Sequence, residues 1–150
     1  MRYHLALAVL LSLPVFAEAQ EHPLVGRWNL AIPAQVRGAD GRPTRVQLKG
    51  KLEVSAVGDS LVAILDVEAV AGQPPRKQER MVSLRREGTM RFVNKSVASL
   101  AGNGELLTRP ATATYEFDVT GDQLNGTMQL EVGGVPGIAP RTLTGTRVAS

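Results

Sequence analysis

Apolar and polar residues alternate with a period of two along most of the chain beyond its first twenty residues. The clearest stretch covers residues 45–56, whose charged and polar side chains fall on one face and whose other face holds Val46, Leu48, Leu52, Val54 and Ala56. A β-strand places successive side chains on opposite faces, whereas a helix would spread these charges around its circumference. The pattern therefore predicts a half-buried strand.

The same alternation predicts further strands, which brings the number to between seven and nine. They cover residues 28–32, 61–70, 80–86, 89–93, 115–119, 124–132 and 141–148. Gly58-Asp59 and Gly121-Asp122 each separate two alternating runs, as expected of hairpin turns. Prolines and glycines predict longer loops at Pro33, 38–43, 73–75 and 133–140, and residues 94–101 are irregular enough to leave room for a short helix.

One-sided antiparallel strands must bury their apolar faces, either by closing into a barrel or by packing two sheets together. Closure also removes exposed sheet edges. Gly50, Gly126 and Gly145 lie within predicted strands, where glycine permits the sharp coiling of a small barrel. We therefore predict an all-β fold, an antiparallel up-and-down β-barrel of about eight strands, with a β-sandwich as the alternative.

Two motifs at the ends of this domain resemble a known superfamily. Val25-Gly26-Arg27-Trp28, together with Arg147 in the last predicted strand, is similar to the Gly-x-Trp motif and the late arginine of the calycins, which include the lipocalins and the fatty-acid-binding proteins. The hairpin at residues 121–127 also resembles repeats of small exported bacterial barrels. The resemblance implies a lipocalin-like barrel in which Trp28 plugs one end and Arg147 packs over it.

The first residues have the features of a secretory signal peptide. A charged start at Arg2 precedes an apolar run at residues 5–13, and Ala17 and Ala19 form a small-residue cleavage site. We therefore predict a signal peptide over residues 1–19, cleaved between Ala19 and Gln20, and a single domain over residues 20–150. The apolar run is shorter than the roughly 20 residues of a membrane-spanning helix, so we expect a soluble periplasmic or secreted protein and no integral membrane protein.

The residue types present restrict the available chemistry. The chain has no cysteine, and His4 and His22 are its two histidines, of which the first lies in the predicted signal peptide. A cysteine nucleophile, a Ser-His-Asp triad and a histidine-rich metal site are therefore disfavoured. Most carboxylates fall on the polar faces of predicted strands. We expect no enzyme activity, no cofactor and no metal site.

The formal net charge of +3 arises largely from one segment, residues 76–95. We call its cations the basic strip, which consists of Arg76, Lys77, Arg80, Arg85, Arg86, Arg91 and Lys95. Such a strip can contact an anionic surface or an envelope protein. Alternatively, its residues are solvated and protect strand edges from aggregation. Nucleic-acid binding is not expected, because aromatic residues make up only 4% of the chain and leave few platforms for base stacking.

These observations predict an exported barrel that binds a small apolar or lipid-like molecule. The low aromatic content favours an aliphatic pocket, which suits an acyl chain better than a stacked ring. The alternative is an envelope interaction module that uses the basic strip and holds no internal ligand. The predicted ligand-binding residues are Trp28, Leu48, Leu52, Tyr115, Phe117, Met128 and Arg147. The sequence leaves open the identity of the ligand, its existence and the oligomeric state.

Overall fold

The computed structural model describes residues 21–38, 40–70, 78–84, 90–102 and 105–149. This part of the chain consists of strands and turns, without a helix. The strands are β1 (Gly26–Arg37), β2 (Pro43–Val57), β3 (Ser60–Val67), β4 (Glu79–Leu84), β5 (Met90–Gly102), β6 (Glu105–Thr120), β7 (Gln123–Val132) and β8 (Val135–Arg147). The prediction of an all-β fold is confirmed. The predicted signal peptide lies outside the described residues.

The strands form one antiparallel sheet in the order β4-β3-β2-β1-β8-β7-β6-β5. Two meanders, β1 to β4 and β5 to β8, are joined where β1 pairs with β8, from Trp28 opposite Arg147 to Ala31 opposite Thr144. At the two ends of the sheet β4 and β5 approach each other, so the sheet curves into a nearly closed barrel. The barrel prediction is confirmed over the alternative of a sandwich.

Glycine in the left-handed region forms the hairpin turns. Gly58 and Gly121 have φ angles of 58° and 60°, as their Gly-Asp motifs predict. The long loop predicted over residues 133–140 is wrong, because Gly133 and Gly134 have φ angles of 63° and 79° and connect β7 directly to β8. Two consecutive residues with positive φ are typical of a tight two-residue hairpin loop.

One other prediction from the sequence is wrong, and one possibility that it left open is not realised. The loop expected at Pro33 is part of β1, whose pairing with β8 ends at Ala31, so the missing N–H of the proline interrupts no ladder on that side. The optional helix over residues 94–101 is part of β5, which pairs with β6 along its length. Val97 and Leu107 in this hairpin are 68% and 47% exposed. Because apolar side chains lie in solvent here, the pattern of alternation is lost.

The inward faces of the strands form one apolar core whose burial changes along the barrel. Exposure rises along β1 from 1% at Trp28 to 9% at Ala34, and along β2 from 1% at Leu52 to 6% at Leu48. Since β1 and β2 are antiparallel, both trends run toward the same end of the barrel. We call the fully buried end, around Trp28, the packed end. We call the other end the open end, and it includes Ala34, Val46, Leu48, Ala113, Met128 and Leu130.

Candidate functional site

The segment that precedes β1 covers the packed end of the barrel. Leu24 is fully buried in the core, and its carbonyl accepts a hydrogen bond of 2.9 Å from Nε1 of Trp28. The turn is held by the backbone N–H of Val25, which donates to the carbonyl of His22 at 2.8 Å. Nδ1 of His22 accepts from the backbone N–H of Leu24 at 3.2 Å. Residues before the first strand are therefore part of the core.

Arg147 fastens this segment to the last strand. Its guanidinium lies over the Trp28 ring, with Cζ 4.2 Å from the ring centroid, as the resemblance to the calycins implies. The same group donates hydrogen bonds to the carbonyls of Val25, at 2.9 Å, and of Pro23, at 2.7 Å. Its Nε lies 3.2 Å from Oδ1 of Asp122. One planar fork with five N–H groups can make all these contacts at once, which the ammonium of lysine cannot.

Gly26 is required by this arrangement. Its φ angle is 129°, and a Cβ placed there would lie 2.9 Å from Nη1 of Arg147. Any other residue would strain the backbone and displace the guanidinium. The three residues of the sequence motif, Gly26, Trp28 and Arg147, thus meet at one place and close the packed end.

The residues predicted to bind a ligand are divided between the two halves of the barrel. Trp28, Leu52 and Phe117 are buried at the packed end, where they fill the core. Leu48, Tyr115 and Met128 also face inward but lie farther toward the open end. Arg147 stacks on Trp28 at the closed end. The ligand-binding role of these seven residues stays a prediction.

The open end is lined by apolar side chains. Its side chains are aliphatic or thioether groups, and several of them are only partly buried against the core. The inward positions on β1 and β6 are occupied by small residues, Ala34, Ala111 and Ala113. Small side chains facing inward leave more room than the large ones of the packed end. At this end of the barrel Val46, Met128 and Leu130 are only partly buried.

A polar pair lies within the otherwise apolar interior. The hydroxyl of Tyr115 donates a hydrogen bond of 2.9 Å to Oε2 of Glu79, the first residue of β4. The Tyr115 ring stacks on that of Phe117 with centroids 6.2 Å apart. The sequence analysis did not identify Glu79 as a site residue. A signal was available, because Glu79 lies two residues before the inward-facing Met81 and a strand places both on one face.

A concave surface lies on the outside of the barrel. It is an open groove of about 720 Å³ across β1, β2 and β8, with Gly50 and Gly145 among its lining residues. Polar side chains of both charges surround it, among them Asn29, Lys49, Lys51, Asp66, Gln123 and Thr144. Oε1 of Glu68 accepts a hydrogen bond of 2.7 Å from the backbone N–H of Lys49 at this groove.

The basic strip is described only in part. Arg80, Arg91 and Lys95 are exposed on β4 and β5, and Nε of Arg91 lies 3.9 Å from Oε1 of Glu116. The remaining members, Arg76, Lys77, Arg85 and Arg86, lie outside the described residues. The three visible cations share the outer face of two strands that approach each other.

Within the described ranges, no three histidine, cysteine or acidic side chains are grouped so that they could hold a metal ion. None of the described residues belongs to a helix that is long and apolar enough to cross a membrane. The nearly closed antiparallel barrel is compatible with a calycin-like fold. Comparison of the chain with protein families, with curated proteins and with solved structures finds no match.

Proposed function

We propose that this protein binds a small apolar or lipid-like molecule in the open end of its barrel. The observation that carries the proposal is the rise in exposure of inward-facing apolar side chains from Trp28 to Ala34. Apolar surface left partly in water gains about 25 cal/mol for each Å² that a ligand covers. A closed packed end and a less completely buried apolar end would together form a cup suited to an aliphatic chain.

The arrangement at the packed end supports kinship with the calycins. Gly26 and Trp28 at the start of the first strand meet Arg147 at the end of the last one. Calycins bind small apolar molecules in their barrels, which agrees with the proposed activity. This kinship is part of the proposal.

We further propose that the protein acts in the periplasm or outside the cell. The support is the signal-like pattern of residues 1–19, whose cleavage would release a domain beginning at Gln20. In such a compartment, a protein that shields an apolar molecule from water can carry it between surfaces. The ligand would then be one that the cell exports, takes up or finds in its envelope.

The direct test is native mass spectrometry of residues 20–150, purified from an exporting host, followed by solvent extraction of any bound molecule. The expected result is a stoichiometric adduct in the mass range of a lipid. Ala113→Phe places a ring among the small inward residues and should abolish the adduct. Thr114→Phe, one residue away on the other face of β6, is the matched control and should retain it.

Circular dichroism and Trp28 fluorescence establish that both variants are folded. Loss of the adduct in folded Ala113→Phe, with retention in Thr114→Phe, would support binding inside the barrel. If the wild-type protein carries no adduct and takes up no alkyl probe, the proposal is wrong. Equal adduct levels in both variants would likewise exclude the open end as the binding site.

A second candidate function rests on the exposed cations of the basic strip. Arg80, Arg91 and Lys95 project from the outer faces of β4 and β5, where an anionic membrane or envelope protein could contact them. Sedimentation with anionic vesicles should then fall as salt is raised and fall further in a variant that replaces all three cations with glutamine. Vesicle binding that is unaffected by salt and by the three substitutions would exclude this function.

A further inference from the structure

The Tyr115–Glu79 pair lies where the packed end gives way to the open end. Along β6, Tyr115 stands between Phe117, which is fully buried, and Ala113, which is more exposed. Across the sheet its partners are Phe92 on β5 and Met128 on β7, one buried and one partly buried. A molecule that entered from the open end would reach this pair before it met the filled core.

Glu79 retains capacity to accept hydrogen bonds. A carboxylate offers about four acceptor positions, and the Tyr115 hydroxyl occupies one of them. In the part of the chain that the structure describes, Glu79 makes no other side-chain hydrogen bond and no ion pair. The bond from Tyr115 orients the carboxylate, while its half-buried position leaves it partly accessible to solvent.

The Tyr115–Glu79 pair restricts which polar group a ligand in the barrel can carry. An apolar molecule that covered Glu79 would strip water from the carboxylate, and this costs free energy unless the ligand supplies a donor. A ligand carboxylate would bring a second negative charge and would be repelled. A protonated amine would replace the lost water with a charge-assisted hydrogen bond.

We infer that the ligand of the barrel is an aliphatic amine whose ammonium group docks on Glu79, and that fatty acids are discriminated against. This inference rests on the proposed function and specifies its ligand class. The carboxylate is the recognition group, and Tyr115 is a positioning residue that fixes its orientation.

The test compares dodecylamine, dodecanol and dodecanoic acid, which share one chain length and differ in the head group. Binding of each to residues 20–150 is measured by calorimetry at neutral pH, below the concentration at which the probe aggregates. The wild-type protein should prefer the amine to the acid by about tenfold or more, as expected of a hydrogen bond between charged groups. The alcohol should lie between them.

Glu79→Gln should abolish the preference for the amine and strengthen binding of the acid. Glu53→Gln removes an exposed carboxylate from the outer side of β2 and is the matched control, which should keep the wild-type preference. Tyr115→Phe should weaken the preference without abolishing binding, because the carboxylate remains but loses its fixed orientation. Circular dichroism checks that each variant is folded.

Failure of this inference differs from failure of the proposed function. Equal binding of amine and acid, or a preference that survives in Glu79→Gln, would overturn the role of Glu79 while leaving an apolar-binding barrel. If the alcohol binds as tightly as the amine, the ligand does not need a positive charge and the inference is wrong. If none of the three probes binds, the proposed function is wrong and this inference falls with it.

Discussion

The guanidinium of Arg147 stacks on the indole of Trp28 with Cζ 4.2 Å from the ring centroid, and these two residues also face each other in the pairing of the last strand with the first. The backbone pairing and the side-chain stack therefore reinforce each other. The same arginine bonds the carbonyls of Pro23 and Val25, so it connects the segment before β1, the first strand and the last strand.

Replacing Arg147 should lower stability more than the loss of one surface charge would suggest. Arg147→Lys keeps the charge but loses the fork and the planar stack, so we expect the free energy of unfolding to fall by about 1–3 kcal/mol. Urea denaturation followed by fluorescence measures this directly, because Trp28 is the single tryptophan of the chain. The control is Arg42→Lys, whose side chain is 86% exposed and should change stability by less than about 0.5 kcal/mol. Equal effects of the two substitutions would contradict the anchoring role of Arg147.

Leu24 precedes the first strand but should behave as a core residue. Leu24→Ala removes a fully buried side chain and should lower the free energy of unfolding by about 2–5 kcal/mol. It should also shift Trp28 emission to longer wavelength, because the carbonyl bonded to Nε1 belongs to the displaced segment. Glu21→Ala, at an exposed position of the same segment, is the control. A stable Leu24→Ala protein with unchanged emission would show that the segment is only a tail.

Glycines within strands should differ sharply in their tolerance of alanine. A Cβ at Gly126 would lie 2.8 Å from Cδ1 of Phe117 and 3.1 Å from the carbonyl oxygen of Glu116, so Gly126→Ala should cost about 1–3 kcal/mol through overpacking. At Gly137 the nearest atoms to a Cβ are 3.6 Å away, so Gly137→Ala should stay within about 0.5 kcal/mol of the wild-type protein. Thermal unfolding of the two variants side by side tests this contrast. Similar melting temperatures would mean that the sheet relaxes around Gly126.

Processing of the precursor can be tested independently of ligand binding. Cleavage of a secretory signal needs small residues before the scissile bond, so Ala19→Arg should leave full-length precursor in the cell. Intact mass measurement of the exported wild-type protein should identify Gln20 as its first residue. Ser12→Arg is a comparison variant with a different expected result. It interrupts the apolar run and should therefore block export itself, whereas Ala19→Arg should block only cleavage. A wild-type protein that retains Met1 would exclude the signal peptide.

The regular parts of this fold follow from alternation because one face of each strand is buried and the other is in water. Residues 45–55 obey that rule and form most of β2, whereas Ala56, predicted on the apolar face, is exposed near the end of the strand. The rule fails in the β5–β6 hairpin, where Val97 and Leu107 are both exposed and nothing marks an inner face. The rule also fails at paired glycines. Gly133 and Gly134 form a tight turn, although the many glycines and prolines around them predict a long loop.

The candidate site was only partly predictable for a different reason. Apolar residues such as Leu48 and Met128 could be assigned to the interior from their phase in the alternation. Position along the barrel axis decides which of these residues fill the core and which line the open end. The alternation of apolar and polar residues carries no information about that position. Glu79 was missed because a carboxylate is normally assigned to solvent, and its partner Tyr115 is remote in sequence.

The pairing of β1 with β8 has a consequence for how the molecule assembles. Each meander is built from hairpins whose partners are neighbours in sequence, so both can form early by closure of short loops. The ladder between residues 28–31 and 144–147 instead joins opposite ends of the chain, and its formation must wait for synthesis of the final strand. The barrel should therefore be completed in a late step, with the Trp28 environment as its reporter.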